Sequence, residues 1–574
     1  MATQKTANDY REERKARLAK ASKQNHKKSR KLGGHRMNKK TKIGIAVALA
    51  AVVVLGVVAL ILNNEGVFER MKTFETAGGT KYSSVEYEYH YKSTHQYIYN
   101  MSAQYDSYYG AGAGYQYTGY DCSKAPAEQV YPYDDYKLAD GSKPTWKQYL
   151  EHIALEKMQR IYALVDMANA EGFQLTAEAL NEIETSIATL RTNIETEATQ
   201  SGSLVPSLSN YLQQSFGKGV NEKMFREIVE RETLATEYNE YLLEKNANGY
   251  TKEQLEAEYA KDPSAYNCVD FRLFTITAET PQLDSTASNE EKKAANEKAA
   301  ADAKKKAEEM LEKITDEESF IKLAEEYATE KQKESYDYSD PKTTLSTYVQ
   351  KSLIQSNFSE DIIKWLYSTD TKANEKKMFE VSGTYYILYM IKPTYRDDST
   401  IPVDVRHILY QADENAEDQD AALAAAKAKA DAALKKINES PTKLDTFLEI
   451  CAAESTDTGS NTNGGLYEYV GRGQYVAEFE AWALDPNRKE GDVAVVETDY
   501  GYHVMYFEKA HTKPMWQITI GQKLASDALT AKLNEAFKSP QYAIPANSVE
   551  YQKLTQKVYD DIVKLHYTSA ATAA

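Results

Sequence analysis

Residues 268–509 carry one pattern twice, so this part of the chain must build two copies of the same fold. Val269-Asp270-Phe271-Arg272-Leu273-Phe274 aligns with Val403-Asp404-Val405-Arg406-His407-Ile408, an apolar, β-branched run that reads as a strand in each copy. Helical runs rich in Ala, Lys and Glu follow, at 300–313 and 421–436. Phe320-Ile321-Lys322-Leu323-Ala324 then aligns with Phe447-Leu448-Glu449-Ile450-Cys451, and Trp365 with Trp482. A last strand closes each copy, Thr384–Tyr389 in one and Gly501–Tyr506 in the other, and the tryptophan stands 21 residues before Tyr386 and before His503 alike.

The copies differ where chemistry could sit. The second has His407 and His503 in its strands, and the first has Leu273 and Tyr386 at those places. By residue type alone, two histidines in strands are more often satisfied core groups than catalysts. Between them, in order, stand Ser455-Thr456-Asp457-Thr458-Gly459-Ser460, Gly464-Gly465-Leu466, and Gly471-Arg472-Gly473-Gln474-Tyr475 running on to Phe479-Glu480. Over residues 403–509 this order resembles the parvulin family of peptidyl-prolyl isomerases.

The resemblance implies that His407 and His503 face each other from adjacent central strands and share a hydrogen-bond network with Asp457 and Thr498. Asp457 stands where the family has Cys or Asp, and with Asp there a covalent thiol at that position is excluded. Leu466, Tyr475 and Phe479 match the positions lining the proline pocket; Tyr475 stands where Met is commoner, which reshapes the pocket without removing a required group. In the first copy Glu330 aligns with Asp457 and the Gly464-Gly465 pair has no counterpart, so that copy is expected to keep the fold and lack the activity. Turning an X-Pro bond needs neither nucleophile nor cofactor, only a proline pocket and an environment that favours the twisted amide over the planar one. No metal is expected, since His407, His503 and Asp457 have no local ligand spacing. The acidic run Asp413-Glu414-Asn415-Ala416-Glu417-Asp418 after His407 argues against a preference for phosphorylated substrates, which calls for Arg or Lys.

Residues 1–42 hold 15 Lys/Arg against 3 Asp/Glu, and the rest of the chain is acidic with a net charge of −29. Between them Ile43–Leu62 is uncharged, and 20 residues of helix span the roughly 30 Å hydrocarbon core of a bilayer. The reading is an uncleaved single-pass anchor, with the basic N-terminus in the cytoplasm and the acidic bulk outside the cell membrane. Nucleic acid is not expected as a partner, because a basic leader beside a membrane span serves topology and contact with anionic lipid.

After a linker at 63–80, residues 82–136 contain 15 tyrosines. Tyr82–Tyr109 reads as an amphipathic helix and 110–136 as a loop broken by Gly and Pro. The tyrosines serve either as ordinary core residues in place of Leu and Phe or as a peptide-binding surface. Helices are expected over 146–170, 176–198 and 222–243, then from a Thr251 cap, and again at 525–537 and 549–567. The helical run leading straight into a strand resembles the SurA- and PrsA-like extracytoplasmic foldases. Three cysteines, Cys122, Cys268 and Cys451, supply no disulfide framework; Cys122 and Cys268 are the only pair open to bridging if Cys451 is core. PrsA-like proteins are usually attached through a lipidated cysteine, and none follows the apolar run until Cys122, so here a protein anchor replaces the lipid.

The expected architecture is therefore α+β: a transmembrane helix, a helical chaperone-like module at 81–267 completed by 514–574, a degenerate parvulin-like domain at 268–395 and an isomerase domain at 396–512, followed by a helical segment at 513–574. Each parvulin-like domain is expected to be a four-stranded antiparallel sheet with flanking helices. The partners implied are the X-Pro segments of unfolded or partly folded secreted polypeptides. Two other functions are carried forward: a holdase whose isomerase domain is vestigial, and an envelope protein whose tyrosine-rich segment binds cell-wall polymer.

Overall fold

The computed structural model describes residues 66–279, 288–413 and 415–567. The basic leader and the apolar segment 43–62 expected to anchor it lie outside the described residues. Among the described residues no helix is long and apolar enough to cross a membrane. The described chain mixes helices with antiparallel sheets in two compact units, one formed by the residues up to Tyr238 together with those from Leu533 onward, the other by Asn239–Lys532.

In the first unit a short hairpin, β1 (Thr73–Glu75) and β2 (Lys81–Ser83), leads into the helix Ser84–Tyr109. The Ser83 hydroxyl accepts from the Glu86 N–H and satisfies one of the free donors at the helix start. The next long helix, Trp146–Glu171, is bounded by a Thr145/Gln148 capping box and by Gly172, whose φ of 72° ends it. The tyrosines divide between the two readings. Tyr82, Tyr87, Tyr91 and Tyr120 are fully buried, while Tyr108, Tyr109, Tyr115 and Tyr117 are exposed. The segment expected to be a loop carries a short helix, Ala113–Thr118, because Gly112 and Gly119 supply left-handed residues at both ends. The C-terminal helix Val549–His566 returns to this unit, where the Tyr551 hydroxyl lies 3.3 Å from that of Tyr87. The Tyr567 hydroxyl sits 3.1 Å from His95 Nε2.

The second unit contains two four-stranded antiparallel sheets of the same design. In the first repeat β3 (Cys268–Thr277) and β6 (Thr384–Tyr395) are central, flanked by β4 (Leu345–Gln350) and β5 (Lys376–Val381). In the second, β7 (Val403–Tyr410) and β10 (Gly501–Ala510) are central, flanked by β8 (Leu466–Val470) and β9 (Val493–Thr498). The registers coincide. Leu273 pairs with Leu388 and Thr275 with Tyr386, as His407 pairs with Met505 and Leu409 with His503. Longer helices cover one face of each sheet, with Phe320 and Phe447 wholly buried at equivalent places, and a short helix packs on the other face of each, Glu360–Leu366 and Ala477–Ala483.

The repeats also share a backbone feature. Tyr348 and Tyr469 hold φ of 54° and 55°, a conformation that disfavours a bulky residue. In each case a strand aspartate fixes it: Asp270 accepts from the Tyr348 N–H at 2.7 Å, and Asp404 from the Tyr469 N–H at 2.8 Å. The segment joining the repeats is pinned as well. The Arg396 guanidinium lies 4.9 Å from the centre of the Tyr259 ring and 4.4 Å from that of Trp516, and it pairs with Glu256 at 2.7 Å. The helix Lys252–Tyr259, which the sequence reading assigned to the helical module, thus packs beside the repeats. All three cysteines are free.

Candidate functional site

Because side chains alternate across a strand, His407 on β7 and His503 on β10 fall on one face as diagonal neighbours. That face is opposite the one packed by Ile408, Tyr410 and Val504 against the helices. The two imidazoles stack with centres 5.1 Å apart, and their Nδ1 atoms lie 2.9 Å from each other. His407 Nε2 is 2.9 Å from Asp457, and His503 Nε2 is 2.9 Å from the Thr498 hydroxyl. The residues expected to share a network are therefore joined in one chain.

The proton positions follow from requiring every contact in that chain to pair a donor with an acceptor. Asp457 is ionised: burial alone would raise its pKa, but hydrogen bonds from Ser460, the Gly459 N–H and His407 hold it below the ordinary value. His407 then donates from Nε2, so its Nδ1 accepts from the Nδ1–H of His503. The Nε2 of His503 is left to accept from the Thr498 hydroxyl. Both rings are neutral in this arrangement. Burial agrees, lowering the His503 pKa to about 4 with the neighbouring His407 adding to the effect, and lowering that of His407 against the pull of Asp457. Only 4% of His407 and 5% of His503 is exposed.

Phe479, from the helix Ala477–Ala483, stands edge-on to both imidazoles at 5.8 Å. Tyr475 lies 5.2 Å from Phe479, and Tyr467 lies 5.3 Å from Tyr475. These three rings and the histidine pair form one aromatic cluster on this face of the sheet, in which Phe479 is buried and Tyr467 and Tyr475 are partly exposed. Leu466, expected beside Tyr475 and Phe479, is placed elsewhere: it pairs with Arg406, whose side lies away from His407. Tyr467, one residue on, pairs with Val405 and occupies the pocket side, and its hydroxyl donates to Asp457 at 3.1 Å. Ser460, whose hydroxyl donates to the same carboxylate, was likewise missed as a site residue. Its motif was on view; the signal for Tyr467 was the strand alternation starting at Gly465.

The glycine pair has a local reason. Gly465 has φ of 70°, and its carbonyl accepts from the His407 N–H at 2.9 Å. A side chain there would fall on the His407 carbonyl oxygen. Beneath it Cys451 is wholly buried on the helix side of the sheet, where burial pushes its thiol pKa up to about 11, so this thiol is not the nucleophile of the pocket.

In the first repeat the same positions hold different groups. Leu273 and Tyr386 join an apolar cluster with Phe358 and Val381, the counterparts of Tyr475 and Thr498. The Tyr386 and Phe358 rings meet at 6.0 Å. Glu330 follows its helix at the same distance as Asp457 follows the helix Lys443–Glu454, but its side chain is 92% exposed and reaches only Lys333. Among the described residues no hydrogen-bonded chain crosses this face.

The structure thus sets a strand-borne histidine pair tied to a carboxylate beneath aromatic rings in a four-stranded sheet, as the resemblance to the parvulin family implies. In agreement, residues 407–509 match the family model of the rotamase, PPIC-type PPIase domain. Over a longer span the chain is similar to the foldase protein PrsA 1 of Listeria monocytogenes, with 26% identity over 206 residues, 34% of this chain and 60% of that protein. It is also similar to the foldase protein PrsA of Staphylococcus epidermidis, 36% identical over 114 residues, 19% of this chain and 34% of the relative. The chain thus spans less than two thirds of the length of these relatives. Among solved structures, PrsA from Bacillus subtilis aligns with 76% of this chain and 93% of its own at 13% identity, with a TM-score of 0.19.

Proposed function

We propose that this protein is a peptidyl-prolyl cis-trans isomerase and foldase, held to the outer side of the cytoplasmic membrane by the apolar segment 43–62. Its clients would be unfolded or partly folded secreted polypeptides. The observation that carries the isomerase reading is the unbroken chain from Thr498 through His503 and His407 to Asp457, lying under Phe479, Tyr475 and Tyr467.

The chemistry such a pocket offers is physical. The barrier to turning an X-Pro bond, near 20 kcal/mol, comes from amide resonance, which separates charge and is favoured by polar surroundings. A proline ring held against Phe479 sits over two neutral imidazoles whose polar atoms are already engaged with one another. Little is left to solvate the planar, charge-separated amide, so the twisted state with its localised nitrogen lone pair is relatively favoured. Thr498 and Asp457 hold the rings in the tautomers that keep this floor neutral. Phe479 and Tyr475 supply the contact area for the pyrrolidine ring.

The test is a proline-limited refolding or peptide isomerisation assay on the purified protein beside its Phe479→Ala variant. Acceleration by the wild type that falls tenfold or more in the variant is the expected result. A folded wild-type protein with no acceleration would leave the holdase, assisting by binding alone, as the better account.

A further inference from the structure

We propose that the first repeat positions the proline-pocket loop of the second, with Tyr348 and the Thr347 carbonyl acting on Arg472 and Gly473. The proposal rests on the isomerase reading above and gives the degenerate repeat a role in it.

The loop Gly471–Tyr475 carries Tyr475 into the pocket, and it is held from two sides. From its own repeat, the Glu480 carboxylate accepts from the backbone N–H groups of Gly473 at 3.1 Å, Gln474 at 2.7 Å and Tyr475 at 2.8 Å. From the other repeat, β4 presses on the loop's outer side. Gly473 has φ of 76°, and a side chain there would strike the Thr347 carbonyl oxygen and come within 3.1 Å of that of Tyr348. The Arg472 guanidinium lies 5.3 Å over the Tyr348 ring. Tyr348 is the residue forced to φ 54° and fixed by Asp270. Its counterpart Tyr469 stacks on His511 of its own repeat at 4.5 Å, whereas the Tyr348 ring meets only the edge of Tyr395 at 6.1 Å within its repeat and is open to Arg472. The first repeat has thus kept the strained tyrosine while lacking the histidine pair, and the tyrosine's ring and the adjoining carbonyls meet the neighbouring repeat.

Loosening this clamp frees Tyr475 to leave Phe479, while the histidine chain, anchored on β7, β9 and β10, stays in place. The loss should therefore appear in KM with kcat retained, a split that a merely structural defect would not give. In the full chain, Tyr348→Ala and Arg472→Ala should each raise KM for a proline peptide about 2–5-fold, the range a single cation–π contact supports, and the double variant should be no worse than either alone. The Gly473, Gln474 and Tyr475 amides should exchange with deuterium faster in all three variants. Gly473→Ala, which also strains the loop, should show the larger change; if it fails to fold, Tyr348→Ala decides the matter, since it touches only the other repeat. Unchanged KM with unchanged exchange, or a fall in kcat alone, would overturn the proposal. An inactive wild type would sink the isomerase reading instead, and loop exchange unaltered by Tyr348→Ala would still overturn the clamp by itself.

Discussion

The two repeats share strand order, pairing register, a buried phenylalanine under the sheet and an aspartate-held tyrosine, yet only one carries a hydrogen-bonded histidine chain on the face away from that phenylalanine. Five substitutions account for the difference: Leu273 for His407, Tyr386 for His503, Val381 for Thr498, Ser346 for Tyr467, and an outward Glu330 for an inward Asp457. The lesson is that the sheet does not depend on the histidine network. The apolar cluster around Leu273, Phe358 and Tyr386 occupies the same face without leaving a buried polar group to satisfy. The network is an addition to a fold that stands without it, as expected of groups kept for a task.

That comparison makes its strongest demand on the shared core. Phe320→Ala and Phe447→Ala should each cost about 3–5 kcal/mol in their own repeat, the usual range for a large aromatic truncated in a packed core. Denaturant unfolding followed by hydrogen exchange on each sheet would read this. A much smaller cost in the first repeat would mean its core is loosely packed and the equivalence of the two folds superficial.

Acid should separate the repeats almost as strongly. The folded-state pKa of His503, about 4, lies below its ordinary 6.5, so folding favours the neutral ring. Stability from this source is fully present above pH 6.5, falls as the pH drops from 6.5 towards 4, and changes no further below that. His407, lowered in the same direction, adds to the loss, and Asp457 contributes only below the ordinary carboxylate range. A shift of this size corresponds to roughly 3 kcal/mol. The first repeat has leucine and tyrosine in place of the two histidines, so it should hold its stability across that window. Equal losses in both, measured by thermal unfolding between pH 7 and 4, would contradict the assignment of two neutral, buried imidazoles.

Much of this contrast was legible in the sequence, because strand alternation and a repeated register carry positions across from one copy to the other. His407, His503, Asp457, Thr498, Tyr475 and Phe479 are brought together at one face as the resemblance to the parvulin family implies. What escaped depended on one-residue differences or on distant contacts. Gly464 and Gly465, both at φ 70°, decide which way β8 starts, and a single step there exchanges Leu466 for Tyr467. Nothing local announces that Tyr348 and Tyr469 adopt a backbone conformation suited to glycine, since the cause is an aspartate 65 to 78 residues away. Nothing in the sequence around Arg396 points to Tyr259 and Trp516, far from it along the chain, and only the fold sets their rings against its guanidinium.

At the site itself, Asp457→Ala should lower kcat/KM tenfold or more. It removes the acceptor that sets the tautomer of His407, and with it that of His503. Asp457→Asn, which keeps an acceptor oxygen for His407 Nε2, should lose less. Titrating the imidazoles by NMR would tell the two apart: in Asp457→Ala the His407 ring loses the partner that opposes its burial, and its pKa should fall further. If both variants retained full activity, the chain of hydrogen bonds would be scaffolding, and the pocket aromatics alone would carry the isomerisation.

The finest contrast lies between Tyr467→Phe and Glu330→Ala. The first deletes one of four hydrogen bonds reaching Asp457 and leaves the ring in the pocket wall. Its cost should be about 1 kcal/mol, the net value of a single such bond, seen as a several-fold drop in kcat/KM and a slight rise in the Asp457 pKa. Glu330→Ala removes an exposed carboxylate whose one ion pair, with Lys333, is solvent-screened, so neither stability nor activity should move measurably. The two carboxylates stand at equivalent points after equivalent helices, so the outcome depends only on where each one points. A measurable loss on Glu330→Ala would mean the first repeat uses its carboxylate after all, and the division of labour between the repeats would have to be redrawn.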